Sequence, residues 1–396
     1  MAIRQITKIT EDTFTIDTFG LYAISITARC KSGKQLGAKG GENLRIEIDD
    51  VKLREIPPLD NKQYFDIPST WNGIDLKGLA KTIIFLLSLN EGDHILTFIP
   101  DPSATIESYA ITPIPDPQNI SFDFDAQAEN GDRRPWYTFA LIDLPLQLTS
   151  ADITIAWHSL DGDDVQLMFN GDVMENLKSK RWKNWIWHAD PKQVLSGARR
   201  EKKEFSKQLS KGIHYIEFWA DKTPTLHNVT LNLGDYTPKR VPTVNDLKWT
   251  GDFNDDTEQM LLARIIFGEA ANQSKKVKIG VGWSIKNRIG KGEQIDPSKS
   301  YEDYYDVILD EDQYESLSDP DVLLRLQNPL SLDPGDQEAW FESYQIAKNV
   351  FQDLVSDPIE GALFFHDDSM TREEFLKAVP RAVYIKKIGN ILFYAL

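Results

Sequence analysis

Several features that mark common protein classes are scarce or missing in this chain of 396 residues. It has one cysteine, Cys30, which excludes an internal disulfide framework, and the alternating pattern around it predicts a small buried side chain. No apolar run approaches the roughly 18 residues of a membrane-spanning helix. We therefore expect a globular protein of two to three domains with no membrane span.

Basic residues are fewer than acidic ones. Lysine and arginine number 44 against 61 aspartates and glutamates, which gives a formal net charge of −17. Because phosphates would be repelled, we expect no nucleic acid partner and no charge-driven binding to anionic lipid or teichoic polymers. An acidic run at Asp161, Asp163 and Asp164 lacks the ligand order of a calcium loop and predicts a solvated turn. We predict no metal and no cofactor.

The first 240 residues contain an internal repeat. Residues 91–98, EGDHILTF, correspond to residues 211–218, KGIHYIEF, and each copy consists of short alternating segments separated by turn residues. Copies of this size and pattern predict a multidomain chain that begins with two tandem all-β sandwiches. Their predicted bounds are 1–115 and 116–236, followed by a proline-bearing linker at 237–256.

The order of strands and motifs in each copy resembles the jelly-roll sandwich of carbohydrate-binding modules. His94 and His214 fall in equivalent strands, which favours an architectural role for both. The resemblance implies glycan binding by aromatic faces, and three tryptophans lie close together in the second copy: Trp182, Trp185 and Trp187. The alternative is that these tryptophans belong to a core or a domain interface.

Residues 261–271, LLARIIFGEAA, predict a helix whose apolar face ends in a carboxylate. Leu261 and Ile265 lie four residues apart and share a face that Glu269 continues. Loss of water and the negative end of the helix dipole both disfavour the ionised carboxylate and raise its pKa. A carboxyl group that keeps its proton near neutral pH can protonate a leaving glycosidic oxygen. The alternative is a glutamate that turns into solvent.

Two more helices are predicted after Glu269. Ser274 caps the first of them and Gly290 ends it, while the second begins after Pro334. Gly280 and Gly282 lie within the first of these helices, where glycine costs stability. Their presence predicts close packing against a neighbouring element.

Residues 257–396 resemble the SleB-type cell-wall hydrolases, the spore cortex-lytic enzymes and their relatives. Five blocks occur in the family's order: LARIIFGEA at 262–270, WSIKNRI at 283–289, VILDEDQY at 307–314, DPIEGALFFH at 357–366 and IGNILFY at 388–394. The resemblance implies a lysozyme-like α+β domain, mainly helical. It also implies cleavage of the N-acetylmuramic acid to N-acetylglucosamine bond in peptidoglycan glycan strands, with Glu269 as the essential acid.

Members of this family are thought to act as lytic transglycosylases. In that mechanism one glutamate protonates the leaving oxygen and then deprotonates the muramic acid C6 hydroxyl, which closes a 1,6-anhydro ring. The alternative, hydrolysis, needs a second carboxylate to activate water. The candidates for that group are Asp306, Asp310, Asp312 and Asp367.

The resemblance further implies substrate-binding positions in the matched blocks: Gln313, Tyr314, His366, Asn390 and Tyr394. Tyr314 can equally be a core aromatic, and His366 and Asn390 also have structural interpretations. One position departs from the family, because its usual histidine in the last block is Ile391 here. This departure supports an alternative function, a catalytically inactive cell-wall-binding or structural assembly protein.

The implied substrate places the protein at the cell wall or outside the cell. The first residues, Met1–Lys8, contain no apolar core of a secretory signal. We expect either a leader that has been removed or release by another route, such as lysis. The sandwiches would hold the enzyme on its substrate and raise the local glycan concentration.

Overall fold

The computed structural model describes residues 3–53, 65, 67–158, 161–177, 179–192, 197–244, 246–311 and 313–396. The chain divides into two compact units, Met1–Arg240 and Val241–Leu396. Each unit has hydrophobic core clusters of its own. The first unit consists mainly of strands, and the second is mainly helical.

The first unit contains both copies of the repeat. The strands of the first copy are Arg4–Ile6, Thr10–Ile16, Gly20–Arg29, Asn43–Ile48, Val51–Lys52, Trp71–Asn72, Ala80–Leu89, Gly92–Asp101 and Ala104–Ile114, with short helices at Gly33–Leu36 and Gly73–Leu76. The strands of the second copy are Ile120–Gln127, Arg134–Ile155, Asp164–Phe169, Asp172–Val173, Trp187–His188, Arg199–Asp221 and Thr225–Asn232.

The two copies place equivalent residues in equivalent register. Strand Asn43–Ile48 is antiparallel to Gly92–Asp101, and Asp164–Phe169 is antiparallel to Arg199–Asp221, with partners shifted by the offset of the sequence repeat. The long strand Arg199–Asp221 takes the place of both Ala80–Leu89 and Gly92–Asp101. The duplication in the sequence is therefore also a duplication of strand pairing.

Equivalent histidines secure equivalent hairpin turns. The imidazole Nδ1 of His94 donates to Asp49 Oδ2 at 2.7 Å, and Asn170 Nδ2 donates to His214 Nδ1 at 3.1 Å. Asp49 and Asn170 each begin a two-residue turn in which both residues have positive φ. Such turns match the twist of the strands they join, which explains the Asp-Asp and Asn-Gly sequences found there. Both histidines thus have structural contacts.

One sheet runs through both copies. Residues Thr82–Leu86 of the first copy pair in parallel with Tyr137–Leu141 of the second. This joint lies within the eleven-stranded sheet of the described residues, and a five-stranded sheet packs its apolar side chains into the core of the first copy. The strand-rich architecture is confirmed. The jelly-roll topology and the boundary at residue 115 stay predictions.

The second unit packs helices around a core that includes much of Glu258–Ala270. Its helices are Glu258–Ala270, Lys275–Lys286, Gly292–Ile295, Tyr304–Ile308, Glu315–Ser318, Pro320–Gln327, Pro334–Phe351 and Arg372–Ala378, with 3₁₀ turns at Phe253–Asp255 and Pro329–Ser331. A small sheet is formed by Phe364–His366, Val383–Ile388 and Ile391–Ala395. Leu247, in the stretch predicted to be a linker, is buried in the same core.

The sequence signals at Ser274 and Pro334 match the helices, whereas the prediction that Gly290 ends the first of them is wrong, because that helix ends at Lys286. Ser274 is the N-cap residue of Lys275–Lys286, and Pro334 begins Pro334–Phe351. A Cβ on Gly280 would lie 2.8 Å from Phe393, and one on Gly282 would lie 3.0 Å from Ile266 of the helix Glu258–Ala270. The prediction of close packing at both glycines is confirmed.

Candidate active site

A buried ion pair fixes the helix that carries Glu269. Arg264 and Asp256 are both fully buried, with Arg264 Nε 2.6 Å from Asp256 Oδ2. Arg264 also donates to the backbone carbonyls of Leu326 and Leu247. A buried guanidinium needs this full set of partners, because an unpaired charge in a core is strongly destabilising. The helix is thereby tied to the segments before and after it.

A glycine lets a second segment reach the carboxylate. A Cβ on Gly268 would lie 2.6 Å from the Cβ of Ser316, so only glycine allows this approach. The backbone N–H of Ser316 donates to Glu269 Oε1 at 3.1 Å. The pairing of Gly268 with Glu269 in the sequence therefore has a physical reason. Gly268 leaves space for Ser316, whose N–H donates to Glu269.

The environment of Glu269 favours its protonated form. Burial is the main cause of the raised pKa, and the nearby carboxylates Glu315 and Asp367 raise it further. Hydrogen bonding from Ser316 acts in the opposite direction but does not offset the burial. Glu269 remains partly accessible to solvent. The arrangement fits a proton donor, because a partly desolvated carboxyl keeps its proton to higher pH.

Gln313 and Tyr314 lie together beside Arg288. The Arg288 guanidinium donates to Gln313 Oε1 at 2.9 Å, and its Cζ lies 5.6 Å from the centre of the Tyr314 ring. The Tyr314 side chain is buried, which raises its pKa, and Glu269 is among the charges that act on it. Its hydroxyl has no hydrogen-bond partner within the described residues. The structure thus brings Tyr314 close to the candidate acid.

His366 and Tyr394 form a separate pair. His366 Nε2 lies 3.0 Å from the Tyr394 hydroxyl, and its Nδ1 lies 2.6 Å from the carbonyl of Asp367. His366 stacks on Phe375, and the Tyr394 ring lies tilted against Phe375 with ring centres 4.5 Å apart, in a small apolar cluster. These contacts give His366 and Tyr394 a structural role, and Tyr394 is fully buried. Their sugar-binding roles stay predictions.

Asn390 lies in the turn between the last two strands, and Ile391 begins the last strand. Asn390 is half-buried, and its Oδ1 has no partner within the part of the chain that the structure describes. Ile391 is buried in the main core and pairs with Ile388 across the hairpin. The residue that replaces the family's histidine is therefore a core residue here.

The other carboxylates differ in their surroundings. Asp310 is held by Tyr301, whose hydroxyl donates to Oδ2 at 2.5 Å, and by Lys299. Burial would raise the pKa of Asp310, but these hydrogen bonds outweigh it and keep the pKa below its ordinary value. Asp306 has a pKa raised by burial, and Asp312 lies outside the described residues. Asp367 is exposed and acts electrostatically on Glu269, so it is the best placed of the candidates.

The three tryptophans of the second copy lie in different environments. Trp187 is fully buried, and its indole N–H donates to Glu201 O at 3.0 Å, as Trp71 donates to Lys81 O in the first copy. Trp187 therefore has no face to offer a sugar. Trp182 and Trp185 are partly exposed, and Trp182 stacks on His188 with ring centres 3.7 Å apart.

No group of three or more His, Cys, Asp or Glu side chains in the described ranges is arranged to hold a metal ion. Of the helices the structure describes, none combines the length and the apolar character needed to cross a membrane.

Sequence reasoning missed Ser316 and Asp256. Both act over a distance along the chain, Ser316 on Glu269 and Asp256 on Arg264. A signal for Ser316 exists, since it follows the matched block that ends at Tyr314. Asp256 immediately precedes Thr257, the N-cap residue of the helix, within the stretch predicted to be a linker.

Solved structures resemble parts of the chain at low identity. The catalytic domain of the germination-specific lytic transglycosylase SleB from Bacillus anthracis is 17% identical, with a TM-score of 0.24, over 35% of this chain and 93% of that one. The SleB catalytic domain from Bacillus cereus is 18% identical, with a TM-score of 0.24, over 35% and 88%. Latent PorU from Porphyromonas gingivalis is 9% identical, with a TM-score of 0.22, over 61% and 25%.

A comparison with curated protein sequences gives no match. The sequence model of the family described as Cell Wall Hydrolase matches residues 272–394. The match begins three residues after Glu269 and lies wholly within the second unit. It confirms the resemblance drawn from the sequence blocks for this segment. Residues 272–394 of the chain are thus similar to the cell-wall hydrolase family.

Proposed function

We propose that the second unit cleaves the bond between N-acetylmuramic acid and N-acetylglucosamine in peptidoglycan, with Glu269 as the proton donor. The family match supports an enzyme that acts on the cell wall. The observation that carries the choice of residue is the partly buried Glu269 carboxylate, whose pKa is raised and which accepts from Ser316 N–H. A group in this state delivers its proton to the leaving oxygen.

The reaction we favour is transglycosylation. Glu269 protonates the glycosidic oxygen, and the carboxylate that remains takes the proton from the muramic acid C6 hydroxyl as the 1,6-anhydro ring closes. No second carboxylate is required, because the nucleophile belongs to the substrate. Hydrolysis would need an activating base, and Asp367 is the candidate that influences Glu269.

The test is digestion of purified sacculi with the full chain and with Glu269→Gln. Glutamine keeps an acceptor for Ser316 N–H but cannot give up a proton. We expect wild type to release 1,6-anhydro muropeptides, identified by mass spectrometry, and the variant to lose at least a hundredfold in rate, since general acid catalysis contributes about 10²–10⁴-fold. Reducing muropeptides would instead establish hydrolysis.

The inactive alternative predicts a different result. If wild type is folded and binds sacculi but releases nothing, the protein is a cell-wall-binding or assembly protein. The buried position of Ile391 speaks against this alternative, because the substitution lies in the core. Glu269→Ala serves as a second variant. Equal activity in wild type, Glu269→Gln and Glu269→Ala would remove Glu269 from the mechanism.

We further propose that the first unit retains the enzyme on the wall through Trp182 and Trp185. Partly exposed indoles can stack on the apolar faces of sugars. The measurement is co-sedimentation of the Glu269→Gln chain with sacculi, with and without Trp182→Ala and Trp185→Ala. The control is Phe341→Ala, which removes an exposed aromatic ring from the second unit. Unchanged retention in the tryptophan variants would refute this role.

A further inference from the structure

Among the residues that the structure describes, the repeat has a strand edge without a strand partner at each of its two ends. In the first copy, Thr82–Leu86 has Gly20–Arg29 on one side and Tyr137–Leu141 on the other. The equivalent segment of the second copy, Lys202–Ser206, pairs with Arg134–Ile155 on one side. On its other side, the structure records no strand among the residues it describes.

The complementary edge belongs to the first copy. Tyr137–Leu141 of the second copy lies between Arg199–Asp221 and Ala80–Leu89. Its equivalent in the first copy, Thr10–Phe14, pairs with Gly92–Asp101, and no strand covers its other side in the described part of the chain. Each open edge therefore corresponds to one half of the joint that already connects the two copies.

We propose that a second copy of this chain adds its Thr10–Phe14 edge to Lys202–Ser206 and continues the sheet. The register follows from the internal joint, in which Tyr137 faces Thr82 and Leu141 faces Leu86. The same relation places Thr10 beside Lys202 and Phe14 beside Ser206. The contact is head to tail, so it leaves an open edge at each end of the pair and permits further growth.

The charges of the two edges are complementary. Residues 199–207 carry five lysines and arginines against two glutamates, and residues 10–17 carry three acidic residues and no basic one. This basic edge stands out in a chain whose net charge is −17. Complementary potentials favour association and fix the register, and salt weakens them when they are exposed. The chemistry of each edge therefore suits the other.

The side-by-side pairs add detail. Glu11 falls beside Lys203, an attractive pair. Asp12 falls beside Glu204, a like-charged pair, but each already has a counter-charge: Arg4 lies 2.6 Å from Asp12, and Lys202 lies 3.9 Å from Glu204. The like-charged contact limits the strength of the association and does not prevent it.

The new joint differs from the internal one in polarity. The internal joint buries apolar side chains such as Ile84 and Phe139, whereas the open edges are polar. Lysines on an edge strand often prevent pairing with other chains. Here the acidic edge of the partner supplies the negative charges that would offset the lysines. The association is therefore reversible and sensitive to salt.

The experiment is sedimentation velocity of the full chain over a range of concentrations at low and high salt. We expect the weight-average mass to rise above the 45.2 kDa of one chain with concentration at low salt, and to fall back at high salt. Glu11→Lys and Lys203→Glu should each stay monomeric. Their equimolar mixture should associate again, because each variant restores an attractive pair with the other.

Matched controls separate the edges from general charge effects. Glu91→Lys and Lys211→Glu make the same charge changes at exposed positions outside the two edges, and both should associate like wild type. Lys203 also donates to Ile186 O, so the folding of the Lys203→Glu variant is checked by circular dichroism. Lys202→Glu, at an exposed position, serves as a second variant. A wild-type chain that stays monomeric at low salt, or a mixture that fails to associate, would overturn the proposal.

Discussion

At the scale of single residues, the proposed chemistry depends on how far the carboxylate of Glu269 is shielded from water. Glu269 combines partial burial, two acidic neighbours and one backbone donor. Each of these influences has a definite sign, so each can be tested by a change of pH. The burial raises the pKa most, and the donor from Ser316 limits the rise.

The neighbouring charge of Asp367 gives the first prediction. Asp367→Asn removes a negative charge that raises the pKa of Glu269, so that pKa falls. Because the proposed mechanism needs the protonated form of Glu269, the alkaline limb of kcat/KM should move to lower pH. Asp368→Asn is the control, since Asp368 lies 3.7 Å from Lys387 and is not among the main causes of the raised pKa of Glu269. An upward shift, or the same shift in both variants, would contradict this prediction.

A second prediction concerns stability. Because the folded state raises the pKa of Glu269, it binds that proton more tightly than the unfolded chain does, and stability falls as pH rises above the unfolded value. Glu269→Gln removes the ionised form and should therefore raise Tm at pH 8. At pH 4 both side chains are largely neutral, so the two Tm values should converge. Thermal unfolding followed at both pH values is the measurement, and a lower Tm for the variant at pH 8 would count against a desolvated carboxylate.

At the scale of secondary-structure elements, the contact between the helix Glu258–Ala270 and the segment at Ser316 sets the position of the Ser316 N–H relative to the Glu269 carboxylate. Gly268→Ala would place a methyl group 2.6 Å from the Cβ of Ser316, so the segment must move away. Overpacking of this kind costs about 1–3 kcal/mol, and it also removes the donor from Glu269. We expect kcat to fall by more than tenfold.

Gly335→Ala is the control for that substitution. Gly335 lies in the first turn of Pro334–Phe351, where the nearest contact of a Cβ is the Asp333 side chain at 3.3 Å. Alanine favours a helix over glycine, so the control should keep its activity and its stability. Equal losses in both variants would show that the contact with Ser316 has no special role.

The same scale shows what the sequence could and could not predict. Helix limits at Ser274 and Pro334 followed from local rules, because caps and prolines act within a few residues. The contact between Ser316 and Glu269 joins segments 47 residues apart, and no local rule contains it. Trp187 shows the same limit. It follows Trp182 and Trp185, which are partly exposed, yet its strand pairing places it in the core.

At the scale of the whole molecule, the chain consists of two units with separate cores. We expect two transitions in calorimetry, because units with cores of their own unfold separately. Asp256→Ala leaves Arg264 as a buried charge without its carboxylate, which costs about 3–5 kcal/mol. Only the transition of the second unit, which contains Asp256 and Arg264, should move to lower temperature. A single transition, or a shift of both, would show that the units unfold together.

The parallel joint between Thr82–Leu86 and Tyr137–Leu141 has a practical consequence for anyone who wishes to express this protein in pieces. A fragment cut near residue 115 would expose Ile84 and Leu86 along a bare flank, and the other half would show Phe139 and Leu141. Exposed apolar strand edges associate with one another without a fixed register, so each half alone should aggregate and precipitate. The two copies of the repeat should therefore be expressed and purified as one chain.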